Sequence, residues 1–519
     1  MEDNRQIKIG AVLAYGTIAF NILAGLIYTP WMIREIGQSD YGIYGLATSL
    51  IAMFSADFGL GSAATRFLSK YKAQNDEKKI SQFMGVTLKL YLILDVIIFA
   101  ILVFCFIFMS SIYKGLSGQE IEKLRIVFVI AGLFTTISFP FQTLNGVITA
   151  CEKFVFQKLI DFINKAGTII IMVALLMQGY GLYALVMVNA FVGLVIIIIK
   201  LFYLKKEAPI RVDWKYWDNG LLKEIFSFSV WATLITIAQN MIFNIMPTIL
   251  GITSNTIEIS KFTAASTMEG YVYTFTSVIS GMFMPQMARM IYKNDQNESA
   301  SAKEITDLMI KVGRIQLVIV GAIISVFIAL GSEFVWLWLG EGFEGTYGTI
   351  LLMIIPTAVI AVQGIAETFV SVTGKIKYSA YGTMVTAVCA VVGAFLFSTK
   401  YGAVGAGIGV CIGNTLGRVV IMDIFYLKHF RLDIFRFYTE CFRRILGIII
   451  ITCILTLGIQ YIAGSRGWIL FFIKGMISAG IYCILIWFGA LNAQEKELLK
   501  QPINYFGRKN CKLKKKDEG

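Results

Sequence analysis

Charge is scarce in this chain. Asp, Glu, Lys and Arg make up 15% of its 519 residues, where soluble globular proteins carry about 25%. So few charges cannot cover a folded surface of this size, which excludes an ordinary water-soluble protein. Histidine occurs once, at His429, and no His/Cys spacing resembles a metal site, so no metal is expected. The eight cysteines fall outside the segments read below as external, and they imply no disulfide framework. No G-x-x-x-x-G-K-[ST] loop occurs: TGKIK at 373–377 lacks both the upstream glycine and the following hydroxyl residue. Nucleophile elbows are missing as well. Neither a nucleotide-driven motor nor a hydrolase is indicated, and no cofactor is implied.

What is present is apolar. Hydrophobic residues reach 57%, with a mean hydropathy of +0.72. Runs such as LILDVIIFAILVFCFIFM (92–109) leave no face for water, and a bilayer core of about 30 Å takes roughly 20 such residues per helix. Hydropathy predicts an all-α polytopic membrane protein with about fourteen spans: 9–33, 41–64, 83–110, 126–149, 159–177, 180–203, 224–252, 263–288, 309–331, 347–373, 378–398, 402–427, 445–463 and 468–490. The first apolar run, which continues to about Ile33, is too long for a signal-peptide core and is read as a retained helix. Of 46 Lys and Arg, 35 fall in segments on the side of the N-terminus, seven on the other side and four deep in spans. The positive-inside rule then puts both termini in the cytoplasm. The net charge of +13 is topological rather than a sign of nucleic acid. The basic tail RKNCKLKKK (508–516) adds attraction to anionic membrane lipids.

The chain also echoes itself. Tyr180-Gly181 aligns with Tyr401-Gly402, FYLK at 202–205 with FYLK at 425–428, and Pro30 with Pro247, at offsets of 221, 223 and 217. The expected organisation is a six-helix lobe over 1–205, a second over 206–428, an extra helix pair over 429–495 and a basic tail over 496–519. An even number of spans per half makes the repeats parallel, the arrangement of two-lobed transporters with a central site. Gly405, Gly409, Gly413 and Gly417 recur every fourth residue, which predicts close helix packing.

Ionisable groups inside spans cost roughly 2.5–3.5 kcal/mol each and mark functional candidates. Arg418, Lys89 and Lys165 are candidate cavity cations, with Asn240 and Asn244 as polar partners. Gln239, Asn240 and Asn244 either face the cavity or bond a neighbouring helix. Asp57, Asp95, Asp161, Glu269, Glu367 and Asp423 are candidates for ion coupling or gating. Asp161 and Lys165, four apart on one face, could neutralise each other, and Lys89 could snorkel to the interface. Guanidinium and ammonium groups in such a cavity suit a phosphate-bearing headgroup.

NILAGLIYTPWMIREIGQSDYGIYGLATSL (21–50), SADFGLGSAATRFLSKYKAQNDEKK (55–79) and EFVWLWLGEGFEGTY (333–347) resemble the Wzx-type polysaccharide or O-antigen flippases of the multidrug/oligosaccharidyl-lipid/polysaccharide exporter superfamily. The resemblance implies a V-shaped two-lobe exporter in the bacterial inner membrane, not an enzyme. It would move an undecaprenyl-diphosphate-linked glycan by alternating access, coupled to H+ or Na+, beside other polysaccharide-assembly membrane proteins. Many Wzx-type members have twelve spans, and fourteen is closer to the lipid II flippases. Multidrug antiporters of the superfamily often carry a carboxylate in span 1, where this chain has Asn21. A membrane polymerase or ligase would need larger external loops than 111–125 and 332–346.

Overall fold

The computed structural model describes residues 2–54, 58–207, 211–293, 298–464, 467–492 and 495–496, and every regular element among them is helical. Nine helices among the described residues are long and apolar enough to cross a membrane, or eleven if two bent pairs each count as one span. The protein is a multi-pass membrane protein. The number fourteen is not reached, for three physical reasons. Lys377–Phe430 is one continuous apolar run of 54 residues that holds both expected spans 378–398 and 402–427. It is broken at Gly402, whose φ of 54° and ψ of −129° are not helical. Gln38–Phe54 has only 17 residues, and Thr256–Gly281 carries Glu258, Lys261, Glu269 and many hydroxyls that lower its hydropathy.

The chain divides into two compact units. One comprises Met1–Val278, Gly342–Ile360 and Glu367–Phe425; the other comprises Ile279–Glu341, Ala361–Ala366 and Tyr426–Gly519. In the first unit, the glycine repeat does what its spacing suggests. After the Gly402 break the chain folds back, and Gly409 and Gly413 lie against the backbone of the preceding helix. A Cβ on Gly409 would sit 2.6 Å from the Ala390 carbonyl oxygen, and one on Gly413 would sit 2.5 Å from that of Thr386. Only glycine lets two backbones approach so closely. The helix Leu60–Ala73 packs on Thr143–Ala150 in the same way, with Gly146 flush against Ala64 and the Gly61 carbonyl.

The second unit is built on Glu298–Leu339, Ile434–Ala463 and Trp468–Gly489. Arg314, 5% exposed, bonds the Glu495 carboxylate at 2.6 and 3.1 Å and the carbonyls of Ala490 and Glu440 at 2.6 and 2.8 Å. Deeper in the unit, Lys474 and Glu333 form an ion pair at 2.5 Å with side chains only 3% and 4% exposed. A charge this buried is tolerated only with such a partner. Lys474, which hydropathy alone leaves as a lone lysine within a span, is therefore neutralised inside its own unit.

Candidate functional site

Arg418 sits in a π-helical stretch, Asn414–Ile421, directly after the glycine seam. Such wide turns rotate side chains out of the regular helical register and often accompany functional positions. Its guanidinium is 9% exposed and reaches Glu367, with Nη2 3.2 and 3.3 Å from the two carboxylate oxygens. The Tyr273 ring lies beneath it, with Cζ 5.7 Å from the ring centroid. Glu269, four residues before Tyr273 on the same helix, is 3% exposed, accepts a hydrogen bond from Thr357 at 2.8 Å and lies within electrostatic reach of Arg418. Asn414 is 2% exposed and its Oδ1 lacks a partner among the described residues. One cation, two carboxylates and an aromatic face thus meet in the first unit.

Other expected site residues have other surroundings. Asn244 donates to the Asn240 Oδ1 at 2.7 Å, so the pair satisfies itself along one helix. Phe243, between them, lies 6.4 Å from the Tyr273 ring, which places this polar step one ring away from Arg418. Lys89 is not free: its Nζ donates to the Tyr216 carbonyl at 3.0 Å and lies 5.6 Å from the Trp217 ring centroid. Asp161 pairs with Lys158 at 3.5 Å instead of with Lys165, because the i−3 neighbour reaches it first, and Lys165 is exposed. Asp95 is partly buried and its Oδ1 has no partner among the described residues. Asp423 lies five residues beyond Arg418, in the helix Met422–Phe430, and is partly buried. Asp57 lies outside the described residues.

A second polar cluster of the first unit was not foreseen. Glu120 accepts hydrogen bonds from Ser117 N and Oγ, both at 2.8 Å, from Ser39 Oγ at 2.9 Å, and from Thr256 Oγ1. Gln38 Nε2 donates to the Gly342 carbonyl at 2.9 Å, Gly115 N to the Gly251 carbonyl at 3.2 Å, and Gly42 abuts the Thr256 carbonyl. These contacts stitch the segment 38–120 to Gly251, Thr256 and Gly342 within the first unit. The S-x-x-E capping box at 117–120 was a readable signal for the helix start, but nothing local announces that its carboxylate also reaches Thr256.

Helices of membrane-spanning length, with a break at Gly402 and a buried charge cluster, define a polytopic α-helical membrane fold. A model of the polysaccharide biosynthesis protein family matches residues 32–348, and the chain belongs to that family. No curated protein matches it in sequence. Among solved structures, it is similar to the lipid II flippase MurJ in an inward closed conformation, with a TM-score of 0.69 and 11% identity, over 92% of this chain and 97% of that one. It is also similar to an inward-facing multidrug resistance MATE family transporter of the MOP superfamily, with a TM-score of 0.60 and 15% identity over 80% and 97%. The eukaryotic MATE transporter AtDTX14 gives a TM-score of 0.59 and 14% identity over 83% and 98%. The shared fold is that of transporters and flippases rather than enzymes.

Proposed function

We propose that this protein is a flippase for an undecaprenyl-diphosphate-linked oligosaccharide, moving it from the inner to the outer leaflet of the bacterial cytoplasmic membrane for surface-polysaccharide assembly. The observation that carries the reading is the Arg418 cluster. A nearly buried guanidinium with a half-exposed carboxylate among its partners is suited to exchanging Glu367 for the diphosphate of a lipid carrier, by charge-assisted hydrogen bonds. Family membership supports a polysaccharide cargo. Transport by alternating access, with lobes 1–205 and 206–428, both termini in the cytoplasm and the stitched turns around Glu120 and Thr256 forming the external gate, belongs to the same proposal. Glu269, buried beside a hydroxyl and a cation, is the coupling carboxylate we assign to H+ or Na+.

The test is depletion of the protein in a polysaccharide-producing strain, followed by a leaflet-resolved assay of lipid-linked oligosaccharide. Accumulation on the cytoplasmic leaflet supports the proposal. Arg418→Ala should reproduce it while the protein stays in the membrane. A cation-coupled drug antiporter would instead sensitise depleted cells to cationic dyes and leave glycans intact.

A further inference from the structure

The first unit has a cleft that this function does not use. It encloses about 750 Å³ and is lined by residues of four helices together with Cys151, Arg211 and Asp213. Leu60–Ala73, Thr143–Ala150 and Leu182–Glu207 end there, and Glu77–Ile107 begins there. Three of these belong to membrane-crossing candidates: Glu77–Ile107, Leu182–Glu207 and, through Thr143–Ala150, the span Gly118–Ala150. Ends of such helices lie at headgroup level, so the cleft opens at the bilayer surface. Its floor is apolar, formed by Leu68, Ile80, Val147 and Ala150, and its rim is charged.

The rim carries three basic side chains, Lys72, Lys78 and Arg211, and three carboxylates, Glu77, Glu207 and Asp213, which are engaged differently. Glu207 is held by Lys153 at 3.2 Å, and the Asp213 Oδ1 accepts the backbone N–H groups of Lys215 and Tyr216 at 3.0 and 3.3 Å. Among the described residues, Glu77 is the carboxylate of the rim with neither kind of partner. Against it stand Lys72, Lys78 and Arg211, all exposed, none within 4.0 Å of a carboxylate among the described residues. Topological lysines need only lie on the correct side of the membrane. Here two lysines and an arginine line one concavity with an apolar floor, and its size falls in the range of small-ligand sites, roughly 300–1,000 Å³.

We propose that this cleft binds the phosphate-bearing headgroup of an acidic membrane lipid, with the phosphate among Lys72, Lys78 and Arg211 and the first ester and methylene groups on the apolar floor. The bound lipid belongs to the surrounding bilayer and is not the cargo, because the cleft is built from other helices than those that carry Arg418 and Glu367. Each basic group near an anionic surface is worth about fivefold in affinity, so removing three should cost on the order of a hundredfold.

The test is native mass spectrometry of the full-length protein with phosphatidylglycerol, phosphatidylcholine and inorganic phosphate, for the unaltered chain and for K72A/K78A/R211A. These three side chains are exposed, and size-exclusion profiles verify that the variant is folded. The expected result is preferential retention of phosphatidylglycerol by the unaltered chain, a loss of roughly a hundredfold in the triple variant, and no displacement by excess inorganic phosphate. Equal retention by both proteins overturns the site. Displacement by inorganic phosphate overturns the lipid source and makes the cleft a free-anion site. Because the readout is lipid binding, it stands or falls independently of whether Arg418→Ala blocks glycan export.

Discussion

Thr256→Val tests whether the stitched turns act as a gate. The substitution keeps the shape of a 2% exposed side chain and removes one hydroxyl, which donates to the Glu120 carboxylate and lies 3.1 Å from Ser39 Oγ. A hydrogen bond to a charged group contributes about 1.5–3 kcal/mol, so the closed arrangement should lose about 10- to 150-fold in population relative to an opened one. Hydrogen exchange in lipid nanodiscs reads this directly. The amide of Gly115 bonds the Gly251 carbonyl across the same seam, and its exchange should accelerate by that factor, together with amides of residues 38–45. Ser117→Ala is a partial control. It removes one donor to the same Glu120 carboxylate but none that crosses to Thr256, so it should loosen residues 251–258 less than Thr256→Val does. Thr136→Val, whose hydroxyl donates to the Gly132 carbonyl within one helix, should leave them protected. If Thr256→Val exchanges like the unaltered protein, these contacts are not a gate.

Three further outcomes follow from the packing. Glu333→Ala leaves Lys474 buried and unpaired and should cost about 3–5 kcal/mol, whereas Glu333→Leu with Lys474→Met should be near neutral; thermal unfolding in detergent distinguishes the two, and equal losses would show that the pair is not a buried ion pair. Gly409→Ala pushes a methyl to 2.6 Å from the Ala390 carbonyl and should destabilise by about 1–3 kcal/mol, while Gly447→Ala, with nothing within 4 Å, should be tolerated. Glu367→Gln removes one negative charge from beside Arg418 and should tighten binding of a prenyl diphosphate several-fold in calorimetry while slowing export; weaker binding would mean that Glu367 positions Arg418 rather than competing for it.

Much of the architecture was legible because a bilayer imposes a one-dimensional rule: apolar residues must run for the length of a span. Helix positions, the Gly402 break and the glycine seam all follow from local spacing. The number of spans did not: the expected spans 41–64 and 263–288 fall on a 17-residue helix and on one rich in Thr and Ser, which are too short or too polar to count among the crossing helices. Charge partners were the least readable. The rule that residues four apart share a helix face pointed to Asp161 and Lys165, yet Lys158 at i−3 satisfies the same rule and makes the contact. Lys89 read as a cavity cation, but it holds the connection at Tyr216 and Trp217, 127 residues on at Tyr216.

The Arg418 cluster shows why such pairs escape a linear reading. Arg418 and Glu367 are 51 residues apart, and Lys474 and Glu333 are 141 apart; no periodicity spans such separations. What the sequence does carry is the device that brings the first pair together. Gly409, Gly413 and Gly417 draw their helix against residues 382–394, and the helix leaves that seam through the π-helical stretch that holds Arg418. A cation placed at the end of a glycine seam starts from a backbone already fixed by contact. Its desolvation is then offset by a partner on an adjacent helix rather than by water. The same logic makes the glycines part of the site: widening the seam at Gly417, whose Cβ would meet the Gly382 carbonyl at 2.5 Å, should move the guanidinium away from Glu367 and lower export without touching either charged residue. Normal export in Gly417→Ala, with the protein present at its usual level, would separate the seam from the site.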